Sequence, residues 1–182
     1  MMDKGATLYR RFLAGDAVAL EEMVREYSDA LVRFAYGYVR DLQDAEDIMA
    51  DTFAVLMIKR KKFRQAAQFK TYLYTIARNK AIDVLRAQKK QLPLSEQCAQ
   101  RELSALDAML LREKERVLGE QLQKLAPQYA EILQLHYFDG FSVGEICKIL
   151  HKSAKQVYNL LSRAKLTLKE NFCKEGISYE DI

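Results

Sequence analysis

Residues that break helices are scarce in this sequence. It has two prolines and seven glycines among 182 residues, and it has no tryptophan. Because tight turns depend on proline and glycine, a fold built from many short strands is excluded and long helices are favoured. The uninterrupted apolar runs, such as residues 54–58, are far shorter than the roughly 20 residues that a membrane-spanning helix needs. We therefore predict an all-α fold with two small helical domains and no membrane insertion.

Patterns that hold metals or perform catalysis are also lacking. The three cysteines, Cys98, Cys147 and Cys173, are far apart, and the only histidines are His136 and His151. No glycine-rich phosphate loop or nucleophile motif accompanies them. The N-terminus has no apolar signal-peptide core. These absences predict a cytoplasmic protein with no metal, no cofactor and no enzymatic activity.

Charge is distributed unevenly along the chain, although the net charge is only +4. Residues 41–51 contain five acids and no bases, whereas residues 59–90 contain eleven bases and one acid. Residues 141–170 contain six bases and two acids. One acidic and two basic segments are typical of a nucleic-acid-binding protein with a separate protein contact. Solvated helix faces are the alternative for any one segment.

Apolar side chains at helical spacing predict three helices in the first half of the chain. The first runs over 17–39, the second begins at Asp44, and the third begins near Phe69 and ends before Pro93. We place a first domain at 1–92 on this pattern.

The second half begins with a polar stretch at 93–115, which we interpret as a linker. A second domain follows at 116–172, in which Pro127 begins a helix that reaches about Phe138. The remaining tail, 173–182, is expected to have no ordered structure.

Two helix starts lie close together near the end of the second domain. Ser142 precedes Glu145 by three residues and Ser153 precedes Gln156 by three, and each pair is a capping-box pattern. Two short amphipathic helices joined by a three-residue turn form a helix-turn-helix, whose second helix enters the DNA major groove. A plain helical hairpin is the alternative. The second helix carries polar side chains suited to bases and phosphates: Lys155, Gln156, Tyr158, Asn159, Ser162, Arg163 and Lys165.

The stretch DGFSVGEICKILHKSAKQVYNLLSRAKLTLK resembles region 4 of bacterial RNA polymerase sigma factors, the part that reads the −35 promoter element. Upstream, DAEDIMADTF (44–53) and FKTYLYTIARNKAIDVLR (69–86) resemble region 2 of the extracytoplasmic-function branch of that family. The motifs occur in the family's order. The resemblance implies promoter-directed initiation, with core RNA polymerase (β′ clamp helices and β flap), promoter DNA and an anti-sigma factor as partners. For the −35 element it implies contacts from Ser153, Lys155, Gln156, Tyr158, Asn159, Ser162 and Arg163.

The acidic motif has a chemistry of its own. Asp44, Asp47 and Asp51 recur at intervals of three and four residues, so they share one helical face that Glu46 flanks. Their spacing matches no calcium loop and no histidine accompanies them, which disfavours a metal site. By the resemblance, this region docks on core polymerase through Asp44, Glu46, Asp47, Ile48, Asp51, Thr52 and Phe53.

The basic segment carries interleaved aromatic residues, as single-strand binders do. Stacking contributes roughly 1–3 kcal/mol per base, and opening duplex costs about 1.4 kcal/mol per step, so a few stacked bases offset the opening of a few steps. The alternative is that Phe69, Tyr72 and Tyr74 belong to the core. Asp83 is expected to pair with Arg86 or Arg78. The predicted contacts to the −10 element are Lys61, Lys62, Phe63, Arg64, Lys70, Tyr72, Tyr74, Arg78, Asn79 and Arg86.

The chain departs from the family pattern at three places. Tyr72 stands where the family usually has Trp, and His151-Lys152 occupy a turn that usually contains Gly. Tyr158 and Leu160 stand where basic residues are usual, which leaves Lys155, Gln156, Asn159 and Arg163 as the main −35 readers. A helix-turn-helix regulator that acts without core polymerase is the alternative function, although it leaves the two upstream motifs unexplained. An anti-sigma or adaptor protein is disfavoured by the basic–aromatic segment.

Overall fold

The computed structural model describes residues 4–60, 67–91, 121–122 and 124–175 of the chain. Every regular element within these ranges is helical, which confirms the predicted all-α class. The chain divides into two compact units, one built on the residues before Glu96 and the other on most of the residues after Ser95. In the part of the chain that is described, no helix is long and apolar enough to cross a bilayer.

Four helices form the first unit: α1 (Lys4–Leu13), α2 (Val18–Val39), α3 (Leu42–Lys59) and α4 (Ala67–Gln91). Asp16 caps α2, since its Oδ1 accepts the backbone N–H of Val18 at 3.0 Å. The cap of α3 is Asp41, whose Oδ1 accepts the N–H of Asp44 at 3.1 Å. The helix therefore begins two residues before the predicted start at Asp44. Both α2 and α3 end at left-handed arginines, Arg40 (φ 56°) and Arg60 (φ 43°).

Helix α1 was not predicted from the sequence. The Tyr9 ring stacks on Phe69 of α4 with centroids 5.0 Å apart, and the ring of Tyr27 on α2 meets Phe69 edge-on at 5.9 Å. Gly5 lies directly against the Tyr27 hydroxyl, where a Cβ atom would clash. Ten residues are too few for a stable isolated helix, so this aromatic cluster holds α1 in place.

The second unit contains α5 (Pro127–Leu133), most of α6 (Val143–Leu150) and α7 (Ala154–Glu175). Helix α5 continues as a π-helical turn over Gln134–Phe138, in which the N–H of Asp139 donates to the Gln134 carbonyl at 2.9 Å. Together they cover the predicted helix from Pro127 to Phe138. The apolar side chains of Ile132, Leu135, Ile146, Val157, Ala164 and Phe172 are buried in this unit.

The predicted linker at 93–115 lies outside the described residues, as do 116–120 at the start of the predicted second domain and 176–182 at the end of the predicted tail. Helix α7 extends to Glu175. Residues 173–175, which were assigned to an unstructured tail, are therefore helical. The stripe that begins with Val157, Leu161 and Ala164 continues to buried Phe172, which stabilises this last turn.

Candidate nucleic-acid and protein interfaces

Helix α3 separates its predicted docking residues into an outer and an inner set. Glu46, Asp47 and Asp51 are exposed, and we call these three the acidic face. The side chains of Ile48, Thr52 and Phe53 are buried, and the Thr52 hydroxyl donates to the Ile48 carbonyl at 2.7 Å. The prediction that this inner set contacts a partner is corrected: these residues pack α3 onto the bundle and support the acidic face from beneath.

Two of the predicted docking acids are attached to α4. Gln88 Nε2 donates to Asp44 Oδ2 at 2.8 Å, and Asp44 is only partly exposed. Lys80 Nζ lies 2.8 Å from Asp51 Oδ2. The acids therefore do not form one isolated stripe, because the α3–α4 crossing draws Asp44 and Asp51 toward α4.

The outer surface of α3 becomes apolar toward its C-terminal end. Met57 is 40% exposed and Ile58 is 81% exposed, on the same side as the acidic face. Neither residue is among the docking residues predicted from the sequence. Their exposure makes the outer surface of α3 acidic at one end and apolar at the other.

Helix α4 buries one of the aromatic residues predicted to bind DNA. The Tyr74 side chain is 0% exposed, and its ring packs against Phe34 of α2 with centroids 5.0 Å apart. A buried ring cannot stack on a base, so Tyr74 is corrected from a DNA platform to a core residue. Phe69 and Leu73 are also buried, in agreement with the alternative core interpretation.

The polar surface of α4 is a narrow line. Tyr72, Asn79 and Arg86 are spaced by seven residues, or about two turns, so they lie on one side over about 21 Å. We call these three the polar stripe. Asn79 and Arg86 are exposed and Tyr72 is half-buried. Partial burial raises the pKa of the Tyr72 phenol above its ordinary value, so this ring stays neutral at physiological pH.

Other predicted DNA contacts lie away from the polar stripe. Arg78 is half-buried and is rotated about 100° around the helix from Asn79. Lys70 Nζ lies 5.8 Å from the centroid of the Tyr74 ring. The expected partner of Asp83 is Arg86, with Nη1 and Oδ1 3.5 Å apart. Four further predicted contacts lie outside the described residues: Lys61, Lys62, Phe63 and Arg64.

The end of α3 is held by a contact that the sequence did not suggest. The Arg60 guanidinium lies 5.0 Å from the centroid of the Phe12 ring of α1, in cation–π geometry. Arg60 lies near the start of the basic segment, 59–90. Helix α1 therefore fixes the C-terminal end of α3.

Both predicted capping boxes are confirmed in the second unit. The N–H of Ser142 donates to Glu145 Oε2 at 2.9 Å, and the N–H of Glu145 donates to Ser142 Oγ at 3.4 Å. Ser153 and Gln156 repeat the arrangement at 2.9 and 3.4 Å. Between them His151 has φ 53°, the left-handed conformation that a turn glycine usually supplies.

Every predicted −35 residue, on α7 or at Ser153 directly before it, is exposed to solvent. Val157, Leu161 and Ala164 are buried on the opposite side. The Gln156 amide oxygen already accepts both the N–H and the hydroxyl of Ser153, so Gln156 can donate to a base but cannot form the two-bond contact to adenine in this arrangement. The exposed set is Ser153, Lys155, Gln156, Tyr158, Asn159, Ser162 and Arg163.

No group of three or more His, Cys, Asp or Glu side chains converges within the described ranges to hold a metal ion. The exposed functional groups are carboxylates, amides, hydroxyls, aromatic rings and cationic side chains. This chemistry suits binding of a basic protein surface and of nucleic acid.

Known proteins match both units. Residues 23–91 match the model of sigma-70 region 2, and residues 115–168 match the model of sigma-70 region 4. The chain is 30% identical to the RNA polymerase sigma factor YlaC of Bacillus subtilis over 86% of its own length and 93% of that protein. It is 29% identical to the ECF RNA polymerase sigma factor BldN of Streptomyces coelicolor over 88% of its length and 63% of that protein.

A solved structure shows the same fold. The sigma factor RpoE of Bartonella quintana, crystallised with the anti-sigma factor NepR, superposes with a TM-score of 0.70 and 22% identity over 82% of this chain and 94% of that chain. Both family models match in the order that the sequence motifs predicted. The chain therefore belongs to the extracytoplasmic-function branch of the sigma-70 family and is a sigma factor, which binds core RNA polymerase and directs promoter-specific initiation of transcription.

Proposed function

We propose that this sigma factor uses three helical surfaces for its three contacts. The acidic face of α3 docks on core polymerase, the polar stripe of α4 binds the −10 element and assists melting, and α7 reads the −35 element. The observation that carries the proposal is the exposure of acidic and DNA-binding groups on two adjacent helices of one bundle. One rigid unit can thereby hold polymerase and opened DNA in a fixed relation.

The docking surface consists of Glu46, Asp47 and Asp51 together with exposed Met57 and Ile58. A basic helical surface with apolar side chains at one end is complementary to it. The family resemblance implies that such a surface is provided by the β′ clamp helices, and that the second unit contacts the β flap. Ile48, Thr52 and Phe53 position α3 beneath this surface.

The −10 contact is proposed for the polar stripe. The Tyr72 ring provides a stacking surface, Asn79 can bond a base edge, and Arg86 can neutralise a phosphate. Stacking at roughly 1–3 kcal/mol per base is comparable with the cost of opening a base step, about 1.4 kcal/mol. On sequence grounds Lys61, Lys62, Phe63 and Arg64 add charge and a further ring to this contact.

The −35 contact is proposed for α7, in which Lys155, Asn159 and Arg163 are spaced by four residues and share one exposed face. Asn159 has both amide groups available for the two-bond contact to adenine, and Arg163 can read guanine or bind phosphate. Ser162 supplies a hydroxyl to the DNA backbone, whereas the Ser153 hydroxyl is engaged with Gln156 in the capping box.

The chain is proposed to act in the cytoplasm, where its polymerase acts, and to have no catalytic activity of its own. Its structural relative from Bartonella quintana is bound to an anti-sigma factor. By analogy we propose that a protein of that class holds this chain inactive.

The proposal is tested by mixing the purified chain with bacterial core polymerase and measuring complex formation and promoter-directed transcription. Asp47→Lys replaces an attraction with a repulsion, each worth about 1–4 kcal/mol. The affinity for core should therefore fall at least about tenfold. Glu21→Lys, the same charge change at an exposed position of α2, is the matched control.

Circular dichroism and thermal unfolding establish that both variants are folded. Equal core affinity of Asp47→Lys and Glu21→Lys would remove the acidic face as the docking site. If the chain bound promoter DNA without core and formed no complex with core, the alternative of an independent helix-turn-helix regulator would be correct.

A further inference from the structure

One ion pair joins the docking helix to the DNA-binding helix. Lys80 Nζ lies 2.8 Å from Asp51 Oδ2, and the two side chains are 35% and 59% exposed. Asp51 belongs to the acidic face, and Lys80 follows Asn79 of the polar stripe directly in the chain. Lys80 thus lies between the two surfaces and has no role in either contact as proposed above.

We propose that Lys80 is a further phosphate-binding residue, which Asp51 holds in the free protein and which docking on polymerase releases to promoter DNA. This inference rests on the proposed function of α3 and α4. When a basic surface approaches the acidic face, its cations compete with Lys80 for the Asp51 carboxylate and repel the Lys80 ammonium. Core binding and DNA binding are thereby coupled through one side chain.

The exchange needs little free energy. An exposed ion pair of this kind shifts an equilibrium by no more than about fivefold, so polymerase can displace Lys80 readily. Lysine has a flexible four-carbon side chain with a compact charge, and it can turn from the α3 side of α4 toward the adjoining polar stripe. A phosphate that receives the ammonium releases condensed counterions, which favours the new contact.

A neighbouring hydrogen bond between the same two helices differs from the ion pair in its charge. The hydrogen bond from Gln88 to Asp44 also ties α4 to α3, at 2.8 Å, but its donor is uncharged. Breaking it releases no cation. Of these two polar contacts, the ion pair beside Asn79 contains a positive charge that DNA can use.

The test measures two affinities of the full chain with Lys80→Gln. Without DNA, the affinity for core should rise up to about fivefold, because Asp51 no longer has a competing cation. The affinity of the holoenzyme for promoter DNA should fall, and the slope of log K against log salt should become shallower by about 0.7–0.9, equivalent to one phosphate contact. A purely structural tie predicts no such opposite changes.

Lys89→Gln is the matched control for the core measurement, since Lys89 is exposed on the same helix and forms no ion pair among the described residues. Its core affinity should be unchanged. If Lys80→Gln leaves core affinity and the salt slope unchanged, or weakens both interactions without altering the slope, the proposal is overturned.

The free protein provides a second measurement. Asp51→Asn should strengthen binding of a fluorescent single-stranded oligonucleotide, and adding Lys80→Gln should abolish the gain. Asp47→Asn makes the same charge change without releasing Lys80, so its gain should be smaller and should survive the Lys80→Gln substitution. Equal behaviour of the two asparagine variants would contradict the proposal.

These results separate the inference from the proposed function. If Asp47→Lys leaves core binding intact, the docking face itself is wrong. If Asp47→Lys weakens core binding while Lys80→Gln has no effect on core affinity or on the salt slope, docking stands and only the exchange is wrong.

Discussion

Helices α4 and α7 differ in how much of their surface is available for DNA. Both are long, amphipathic and basic, with 25 and 22 residues. Helix α4 packs against α1, α2 and α3, and a single line of side chains carries its proposed contact. Helix α7 packs against α5, and all of its predicted contacts are exposed. The number of packing neighbours decides how many predicted DNA contacts reach the surface.

The comparison of α4 with α7 requires that Tyr74 is a core residue and Tyr72 a surface residue. Equal effects of the two alanine substitutions on stability would contradict it most strongly. Tyr74→Ala leaves a cavity beside Phe34 and should lower the free energy of unfolding by about 3–5 kcal/mol. Tyr72→Ala should cost no more than about half as much, because the side chain is half-buried. Urea unfolding of the full chain measures both.

In promoter opening the order of the two tyrosines should be reversed, because Tyr72 is the one proposed to contact DNA. Tyr72→Ala should slow open-complex formation by about tenfold, from the loss of roughly 1–3 kcal/mol of stacking, and Tyr72→Trp should restore it with the ring that is usual in the family. Permanganate reactivity of thymines at the −10 element measures the opening. If Tyr74→Ala proves stable yet defective in opening, Tyr74 is a DNA platform and the buried arrangement is wrong.

Within α7 the side-chain amides of Asn159 and Gln156 should have different roles, the first in base recognition and the second in stability. Asn159→Ala should reduce discrimination at one −35 base pair by about 1–3 kcal/mol and leave unfolding unchanged. Gln156→Ala should instead lower stability by about 0.3–1.5 kcal/mol, because its amide oxygen completes the capping box with Ser153. Binding to a set of single-base promoter variants, together with thermal unfolding, measures both effects.

An equal loss of base discrimination in both variants would show that Gln156 leaves its cap to read DNA. Ser153→Ala is the control for the cap itself, since it removes the Ser153 hydroxyl and keeps the glutamine. It should match Gln156→Ala in stability and leave the specificity profile as it is.

The predictable parts of the molecule were those that short-range spacing controls. Both capping boxes join residues three apart, and the buried stripe of α7 follows from 3.6 residues per turn. The burial of Tyr74 was only an alternative, because tyrosine combines an apolar ring with a polar tip and suits the core and the surface equally. Its position is set by Phe34 on another helix.

The unpredicted parts depend on contacts between distant residues. Helix α1 is short, and what stabilises it is the packing of Tyr9 on Phe69, sixty residues away. The pair of Asp51 and Lys80 spans 29 residues and exists because α3 and α4 cross at that point. Spacing showed an acidic segment and a basic segment, but it gave no sign that one side chain from each would meet.

The smallest expected effect concerns two left-handed residues, His151 after α6 and Arg60 after α3. His151→Gly should raise stability by about 0.5–1 kcal/mol, because relief of about 1–2 kcal/mol of backbone strain exceeds the entropy cost of glycine, about 0.4–1 kcal/mol. Arg60→Gly should give no gain, since it also removes the contact with Phe12, worth about 0.5–1 kcal/mol at an exposed site. Thermal unfolding of the full chain compares the variants, with Lys152→Gly as the control that should lose stability because Lys152 has no positive φ. If Arg60→Gly stabilises as much as His151→Gly, the α1 contact contributes nothing, and the end of α3 is no better fixed than the turn between α6 and α7.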